Sequence, residues 1–173
     1  MTRRHLGEVR LRTAGVIAAA LIALLVCVLF YHFIVKRETN KISKILGQMA
    51  AATQARDVRG MVRFIAPDYL YQGLTRKDLE GAAEAYFKEY GETDVSITSK
   101  EISTQKSLAT ANVSVAVRPQ RGEATGFRIV TRWQFTFAKR DGQWLITEVT
   151  PLAIDRLQIE DWGQIMTSLR VRP

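Results

Sequence analysis

Few side chains of this 173-residue chain have the chemistry of a catalytic or metal-binding site. Its two histidines, His5 and His32, and its only cysteine, Cys27, all lie near the N-terminus. Residues 38–173 therefore offer no histidine general base, no histidine–cysteine metal site and no cysteine nucleophile. We expect no metal and no other cofactor.

Glu148 is the carboxylate with unusual predicted surroundings. Two runs of alternating apolar and polar residues flank Asp141-Gly142, which favours a type I′ turn because both central residues of that turn have positive φ. In the simplest register of this hairpin Glu148 pairs with Phe135, and paired residues share one face of a sheet. An ionised carboxylate on an apolar face is disfavoured unless a donor reaches it. A β-bulge in either strand would instead move Glu148 to the outer face.

The face that Glu148 would share is rich in aromatic residues. The same register collects these side chains on it: Ile129, Trp133, Phe135, Phe137, Trp144 and Ile146. The candidate hydroxyl donors to Glu148 are Tyr69, Tyr71 and Tyr86 from the covering segments and Thr150 on the same strand face. We therefore predict the following ligand-binding set: Glu148, Trp133, Phe135, Tyr71 and Tyr86. The alternative is a structural Glu148 that is solvated or bound by an arginine.

Three helices are predicted before the sheet. Apolar residues recur at helical spacing in the first of them, and Asp57 is a candidate cap for the second, which Pro67 ends. Thr75 and Asp78 have the spacing of a cap at the start of the third. The predicted helices are 39–55, 58–65 and the segment between Thr75 and Gly91.

After the third helix the pattern changes to a period of two residues. Strands are predicted at 95–102, at 109–117 and in the two arms of the hairpin, which ends near Pro151. Helices followed by successive strands indicate an α+β fold with helices packed on one face of an antiparallel sheet.

This order of elements resembles the nuclear transport factor 2-like superfamily, which includes ketosteroid isomerase and the polyketide cyclase-like group. The resemblance covers residues 42–151, with the short helix after Asp57, the Pro67-Asp68-Tyr69 segment and the sequence Asp141-Gly142-Gln143-Trp144-Leu145-Ile146. It implies a cone of three helices on a curved antiparallel sheet around an apolar cavity. Because family members include enzymes, ligand binders and assembly modules, the resemblance does not select a function.

The resemblance also bears on catalysis. Enzymes similar to scytalone dehydratase use histidine, which residues 38–173 lack, and those similar to ketosteroid isomerase use tyrosine and aspartate. Asp68 lies where such enzymes place an aspartate, but a turn after Pro67 also accounts for it. No catalytic residue is assigned.

The charge is concentrated at the N-terminus. The formal net charge of +8 divides into +5 for residues 1–37, with six Lys/Arg against one acidic residue, and +3 for residues 38–173, with nineteen against sixteen. A nucleic-acid-binding domain concentrates basic residues on its folded part. We therefore expect no nucleic-acid partner.

An uncharged segment, 13–35, separates the basic tail 1–12 from the predicted domain 38–151. Thirteen of its residues are Leu, Ile, Val or Phe, and its length suffices to cross a bilayer as a helix. The run is longer than the apolar core of a cleaved signal peptide. We therefore predict a single-pass membrane anchor.

The orientation of this anchor is less clearly encoded, because four basic residues lie on each side of it. A long C-terminal domain translocates largely regardless of its charge. We expect a cytoplasmic N-terminus and an extracytoplasmic domain, periplasmic if the source is bacterial.

The C-terminal extension, 152–173, is predicted to form an amphipathic helix. Its apolar residues at roughly helical spacing are Ile159, Trp162, Ile165, Met166 and Leu169. Glu160 and Asp161 lie early in this segment and Arg170 and Arg172 lie late, as the helix dipole favours. The helix could pack on its own domain, on a partner or on a membrane.

Three functions remain open. A non-catalytic assembly or scaffold module near the membrane, with a protein partner or a homo-oligomer, is favoured by the short connection between anchor and domain. The first alternative is a module that binds an apolar small molecule or lipid, and the weaker one is an isomerase-like or dehydratase-like enzyme.

Overall fold

The computed structural model describes residues 5–120, 127–155 and 157–159, and for 5–20 and Tyr31 it describes only the backbone. The chain divides into two compact units, Met1–Glu38 and Thr39–Pro173. Helix α1, His5–Gln54, crosses this boundary without interruption. The predicted first helix of the domain is therefore the C-terminal part of a longer helix.

The first unit is formed by the N-terminal part of α1. Large apolar side chains of this part are exposed: Leu21, Ile22, Leu24, Leu25, Val26, Val28, Leu29, Phe30, Phe33 and Ile34. Within the described residues, we find no helix that is both long enough and apolar enough to cross a membrane. The predicted anchor 13–35, part of which lies outside the described side chains, is therefore not supported by the structure and stays a prediction.

Two more helices precede the main sheet. Helix α2, Val58–Val62, is capped by Asp57, whose side chain accepts a hydrogen bond from the Gly60 amide at 2.9 Å. It ends earlier than predicted because Ile65 leaves the helix and forms a parallel bridge to Ile146. A short hairpin follows, β1 (Leu70–Tyr71) and β2 (Leu74–Thr75).

Helix α3, Arg76–Tyr90, begins and ends as predicted. The Thr75 side chain accepts from the Asp78 amide and the Asp78 carboxylate accepts from the Thr75 amide, which completes a capping box. Gly91 ends the helix at φ 67°, a conformation that glycine adopts without steric cost.

The main sheet is antiparallel, and the described residues contribute five strands to it in sequence order. They are β3 (Thr93–Gln105), β4 (Leu108–Pro119), β5 (Ile129–Arg140), β6 (Gln143–Ile154) and β7 (Leu157–Gln158). The predicted strands and their order are confirmed, and β6 continues three residues past the predicted end at Pro151. The α+β class is confirmed.

The core lies on one face of this sheet, the inner face, and joins it to all three helices. Ile42 and Leu46 of α1, Val62 of α2 and Leu79 of α3 share one buried cluster with the strands. The strand members of that cluster are Ala109, Ala111, Val113, Phe137, Trp144, Ile146 and Val149.

The two edge regions of the main sheet differ in their hydrogen-bond partners. β7 pairs with the end of β6, whereas β3 has no strand partner on its outer side among the described residues. The Gln54 side chain, at the end of α1, donates to the Val95 carbonyl at 2.7 Å and so occupies one backbone acceptor of the β3 edge.

Residues 160–173, which contain most of the predicted amphipathic helix, lie outside the described residues. The part of the extension that is described consists of the end of β6 and of β7, followed by Ile159. The Ile159 amide donates to the Leu152 carbonyl at 3.0 Å, and the Ile159 side chain is buried.

Candidate functional site

Glu148 lies on the outer face of the sheet, so its predicted place in an apolar site is wrong. Phe137 pairs with Ile146 as predicted, but Thr147 is an extra residue in β6. Beyond this bulge Glu148 pairs with Thr136 and Val149 takes the place opposite Phe135. Glu148 is exposed, and the Thr136 hydroxyl donates to its carboxylate at 3.1 Å.

The aromatic part of the predicted site is on the inner face. Trp133 and Phe135 are half-buried and pack against the core cluster. The Trp133 indole N–H donates to the Thr131 hydroxyl at 2.8 Å. Phe135 lies 6.5 Å from Phe137, centroid to centroid, in a tilted arrangement. These strand residues form an apolar surface that is only partly covered.

Tyr71 is also packed against the core, but it bonds to the edge of the sheet. The Thr150 hydroxyl donates to the Tyr71 hydroxyl at 3.0 Å. Strand β1, which carries Tyr71, contacts β6, which carries Thr150. Tyr71 therefore lies at the β6 side of the core. Among the described residues, no hydrogen bond joins Tyr71 to Glu148.

Tyr86 belongs to an aromatic group on α3. Its ring is 5.6 Å from that of Phe87 and 5.0 Å from that of Tyr90. The Thr93 hydroxyl lies 3.4 Å from the Tyr86 hydroxyl, and burial raises the pKa of Tyr86 despite this bond. All three rings are half-buried, and Leu79 is the buried residue of this helix. The structure thus brings Trp133 and Phe135 together and places Tyr86 on a separate helix.

Tyr69, a predicted candidate donor to Glu148 that was left out of the ligand-binding set, is the buried tyrosine among the described side chains. Its side chain is 3 % exposed, and its hydroxyl makes no hydrogen bond of ordinary geometry with the described residues. Burial raises the pKa of Tyr69 to about 12. A contact with the Val149 backbone opposes this rise, and the nearby Tyr71 and Glu148 add to it.

Asp68 has a structural partner. The Arg140 guanidinium lies 2.6 Å from its carboxylate and, as the main cause, lowers the pKa of Asp68. Both side chains are exposed. The pair links the β5–β6 turn to the segment before β1, which explains Asp68 without catalysis.

A polar depression of about 500 Å³ on the outer face was not predicted. The residues that line it are Ser99, Lys100, Glu101, Asn112, Val113, Ser114, Arg132, Trp133, Gln134 and Leu152. The Gln134 amide donates to the Asn112 side chain at 3.0 Å across its floor. The alternation of the strands predicts that the polar residues share one face, but it does not predict the bulges that bend the strands around them.

Among the described residues, no three His, Cys, Asp or Glu side chains are grouped closely enough to hold a metal ion. The carboxylate contacts of the described residues include two ion pairs, two helix caps and single hydrogen bonds from Gln54, Val130 and Thr136. The groups on the inner face are aromatic rings, hydroxyls and aliphatic chains, which suit apolar contacts.

Comparison with known proteins gave matches of structure only: no family model and no curated protein sequence matches the chain. A nuclear transport factor 2-like protein of unknown function from Pseudomonas putida is similar at 16 % identity and TM-score 0.57, over 66 % of this chain and 84 % of that one. A protein of Novosphingobium aromaticivorans provisionally named scytalone dehydratase is similar at 13 % identity and TM-score 0.52, over 71 % and 89 %.

A third solved structure is a protein of Xanthomonas campestris provisionally named as an association domain of calcium/calmodulin-dependent protein kinase II. It is similar at 16 % identity and TM-score 0.53, over 64 % of this chain and 83 % of that one. The three names differ in function, and identities this low establish only architecture. The chain has the nuclear transport factor 2-like, or cystatin-like, α+β fold.

Proposed function

We propose that this protein is a membrane-anchored, non-catalytic interaction module that contributes to assembly near the membrane. The observation that supports the proposal most is the apolar surface of α1 between Leu21 and Ile34, where the exposed fraction of the large side chains is 44–66 %. An apolar surface of this extent needs lipid or protein to cover it. The exposed apolar side chains occur at nearly consecutive positions and therefore surround the helix, and a bilayer would cover all of its sides at once.

The sequence around this surface supports a bilayer as its cover. The uncharged run extends back to Thr13, and Lys36 and Arg37 follow it directly. Basic residues at the ends of a span lie at the level of the lipid headgroups. The folded unit begins at Thr39, so very little chain separates it from the proposed span. A protein held there would meet partners that are themselves at the membrane.

The proposed orientation is a cytoplasmic N-terminus and an extracytoplasmic domain. It follows from the length of the C-terminal domain and not from the basic residues, which are balanced. The proposed partner is another membrane-associated protein or a second copy of this chain.

Membrane extraction tests the anchor. The full chain, expressed in cells, should remain with membranes after alkaline carbonate washing and should dissolve only in detergent. Replacing Leu24, Leu25 and Leu29 with lysine should release it, since each charge at mid-span costs about 2.5–3.5 kcal/mol. A matched triple lysine variant at the exposed positions Gly47, Ala51 and Ala55 should stay membrane-bound. Release of the unmodified chain by carbonate would refute the anchor.

Reporter fusions test the orientation. A C-terminal alkaline phosphatase should be active, because this enzyme becomes active only outside the cytoplasm. A C-terminal green fluorescent protein should be dark, because it does not become fluorescent when it is exported in an unfolded state. The opposite pair of results would place the domain in the cytoplasm and leave the anchor itself intact.

An apolar ligand is the second function that a specific observation favours. Trp133, Phe135 and Tyr71 are only partly buried although they pack against the core, so part of their apolar surface is accessible for contact with a ligand. Binding of fatty acids or sterols, followed by quenching of tryptophan fluorescence, would support it if Phe135→Ala weakened binding and the exposed control Phe127→Ala did not. An enzyme remains the weakest candidate, supported only by the names of some proteins of similar fold.

A further inference from the structure

We propose that one end of the main sheet, formed by its turns 105–108 and 140–143, contacts the anionic lipid headgroups of the bilayer. This end is called the turn end below. The inference deepens the proposed function and depends on its membrane anchor. It adds a second contact with the bilayer, which the folded unit itself makes.

Two hydrogen bonds define the direction of α1 along β3 within the folded unit. The Gln54 side chain donates to the Val95 carbonyl at 2.7 Å. The Lys100 ammonium donates to the Ser43 hydroxyl at 2.5 Å. The two bonds are about 16 Å apart along the helix, at about 1.5 Å per residue, and about 16 Å apart along the strand, at about 3.3 Å per residue. The helix and the strand therefore run antiparallel, side by side.

The turn end consequently lies on the side where the chain enters the folded unit. Beyond its bond to α1, β3 continues about 16 Å farther to Gln105, whereas the unit's part of α1 continues only about 6 Å back to Thr39. The Lys139 amide donates to the Ser107 carbonyl at 2.7 Å, which joins the second turn to the first. Both turns therefore project beyond the first residue of the unit, which closely follows the proposed span in the sequence.

The turn end combines an exposed apolar side chain with an excess of basic residues. Leu108, in the first turn, is 58 % exposed. Five cations and two acids lie within three residues of the turns, at the start of the unit or in an ion pair with a turn residue: Lys41, Lys44, Lys106, Lys139, Arg140, Asp68 and Asp141. Basic residues with an apolar neighbour suit the surface of an anionic bilayer.

The opposite end of the sheet has its charges in opposite pairs. Arg56 bonds to Glu92 at 3.3 Å, and Arg118 is the register partner of Asp94 at the start of β3. Paired charges attract an anionic surface less than an excess of one sign. The turn end is therefore the better candidate for contact with the bilayer.

The conformation of Lys106 supports a role for its side chain. Its φ of 53° lies in the left-handed region, which Asn, Asp and Gly adopt more readily than lysine. A residue retained in such a conformation points to a function for that position. At the tip of the hairpin, the function we infer is attraction to a lipid phosphate.

Quenching of a dye by labelled lipids tests the contact in the full chain. With Cys27→Ser as background, a nitrobenzoxadiazole dye is attached to Ser107→Cys or, as the matched control, to the exposed Gln120→Cys, about 40 Å away along β4. The chains are reconstituted into vesicles of phosphatidylcholine and phosphatidylglycerol that carry a nitroxide on some headgroups. The dye at position 107 should be quenched, and the dye at position 120 should not.

Flotation of the vesicles separates the two ways in which this experiment can fail. Chains that do not float with the vesicles would refute the anchor and, with it, the turn-end contact. Chains that float but show equal quenching at the two positions would overturn only the turn-end contact and leave the anchor intact.

Removal of one charge tests the attraction to anionic lipid. Lys106→Gln should lower the ratio of quenched to unquenched dye at position 107, resolved by fluorescence lifetime, about fivefold, the effect of one basic residue near an anionic surface. It should have little effect in phosphatidylcholine alone, and Lys88→Gln, at an exposed position of α3, should have none in either lipid. A ratio that is insensitive to Lys106→Gln would overturn the assignment to anionic headgroups. Disulfide-linked dimers of unlabelled Ser107→Cys, without quenching of the labelled chain, would overturn it in favour of a second copy.

Discussion

Tyr69 shows how burial changes a single side chain. Its hydroxyl lies in the core without an ordinary hydrogen bond to the described residues, and the neutral form is favoured there because water cannot solvate the phenolate. The folded protein holds the pKa of Tyr69 at about 12, whereas in the unfolded chain it is near 10. Tyr69 therefore couples folding to pH in the alkaline range.

The sign of this coupling gives the first prediction. A folded-state pKa above the unfolded value contributes stability that is complete below pH 10 and is lost as the pH rises toward 12. Tyr69→Phe should remove part of that loss. The measurement is urea unfolding of both proteins between pH 8 and 12, and parallel stability curves across that range would contradict the assignment. Tyr86, whose pKa is also raised by burial, accounts for a remaining slope.

Near neutral pH, Tyr69 and Tyr71 should respond oppositely to loss of the hydroxyl. Tyr69→Phe should leave stability unchanged or raise it by up to about 1 kcal/mol, because the buried hydroxyl has no hydrogen bond of ordinary geometry and its contact with the Val149 backbone offsets little of its desolvation. Tyr71→Phe should lower it by about 1 kcal/mol, because the Thr150 hydroxyl loses its acceptor. Thermal melting of the two variants distinguishes them, and equal melting temperatures would argue against the contacts described.

Glu148 and Ile146 provide a third prediction on one strand. Glu148→Gln should change stability by less than about 0.5 kcal/mol, since the side chain is exposed. Ile146→Ala should lower it by about 2–5 kcal/mol, because Ile146 is fully buried in the core cluster. Chemical denaturation measures both. A large loss with Glu148→Gln would mean that the carboxylate has a role that its exposed position does not reveal.

At the scale of elements, the start of α3 depends on two side chains. Thr75→Ala should cost about 1 kcal/mol of stability, because the helix loses its capping hydroxyl. The bonds from Thr75 lower the pKa of Asp78, so the contribution of Asp78 is present above pH 3.8 and is lost as the pH falls below it.

Acid unfolding measures this effect of the cap. Thr75→Ala should reduce the acid sensitivity that Asp78 confers, while a control change at an exposed residue of the same helix, Glu84→Gln, should not. Unaltered acid titration of Thr75→Ala would exclude the capping box as its source.

The elements also show what the sequence predicts. Local signals give the caps at Asp57 and Thr75 and the Asp141-Gly142 turn, because each depends on a few neighbouring residues. The bulge at Thr147 has no local signal of this kind. It depends on how β6 fits against the core and β1. It moves the side chains from Glu148 to Pro151 to the other face, until a second bulge at Leu152 restores the alternation.

The sequence predicted the arrangement of the candidate site correctly only for residues that belong to a single strand. Trp133 and Phe135 share a face because β5 alternates regularly along β4. The predicted position of Glu148 was wrong because it depended on the pairing register of a second strand. Tyr86 does not join the other site residues because the spacing of apolar residues does not determine where its helix packs. Sites formed by several elements require the tertiary fold.

At the scale of the whole molecule, the apolar run of the sequence ends close to the boundary between the two structural units. Residues 38–173 should fold and stay in solution without the apolar run, because the core keeps Ile42 and Leu46 and the charges there are nearly balanced. Cooperative thermal unfolding of that fragment, followed by circular dichroism, is the expected result. Precipitation without detergent would mean that the fragment exposes a further apolar surface.

The Gln54 contact with β3 has a consequence for aggregation. An open strand edge can recruit a strand from another molecule, and the side chain of Gln54 occupies one of its acceptors. Gln54 is also the last residue of α1, so fraying of that helix end would uncover the edge before the core opens. Fibril formation would then begin from a nearly native molecule. Gln54→Ala should accordingly shorten the lag before thioflavin fluorescence rises, while the melting temperature stays nearly constant.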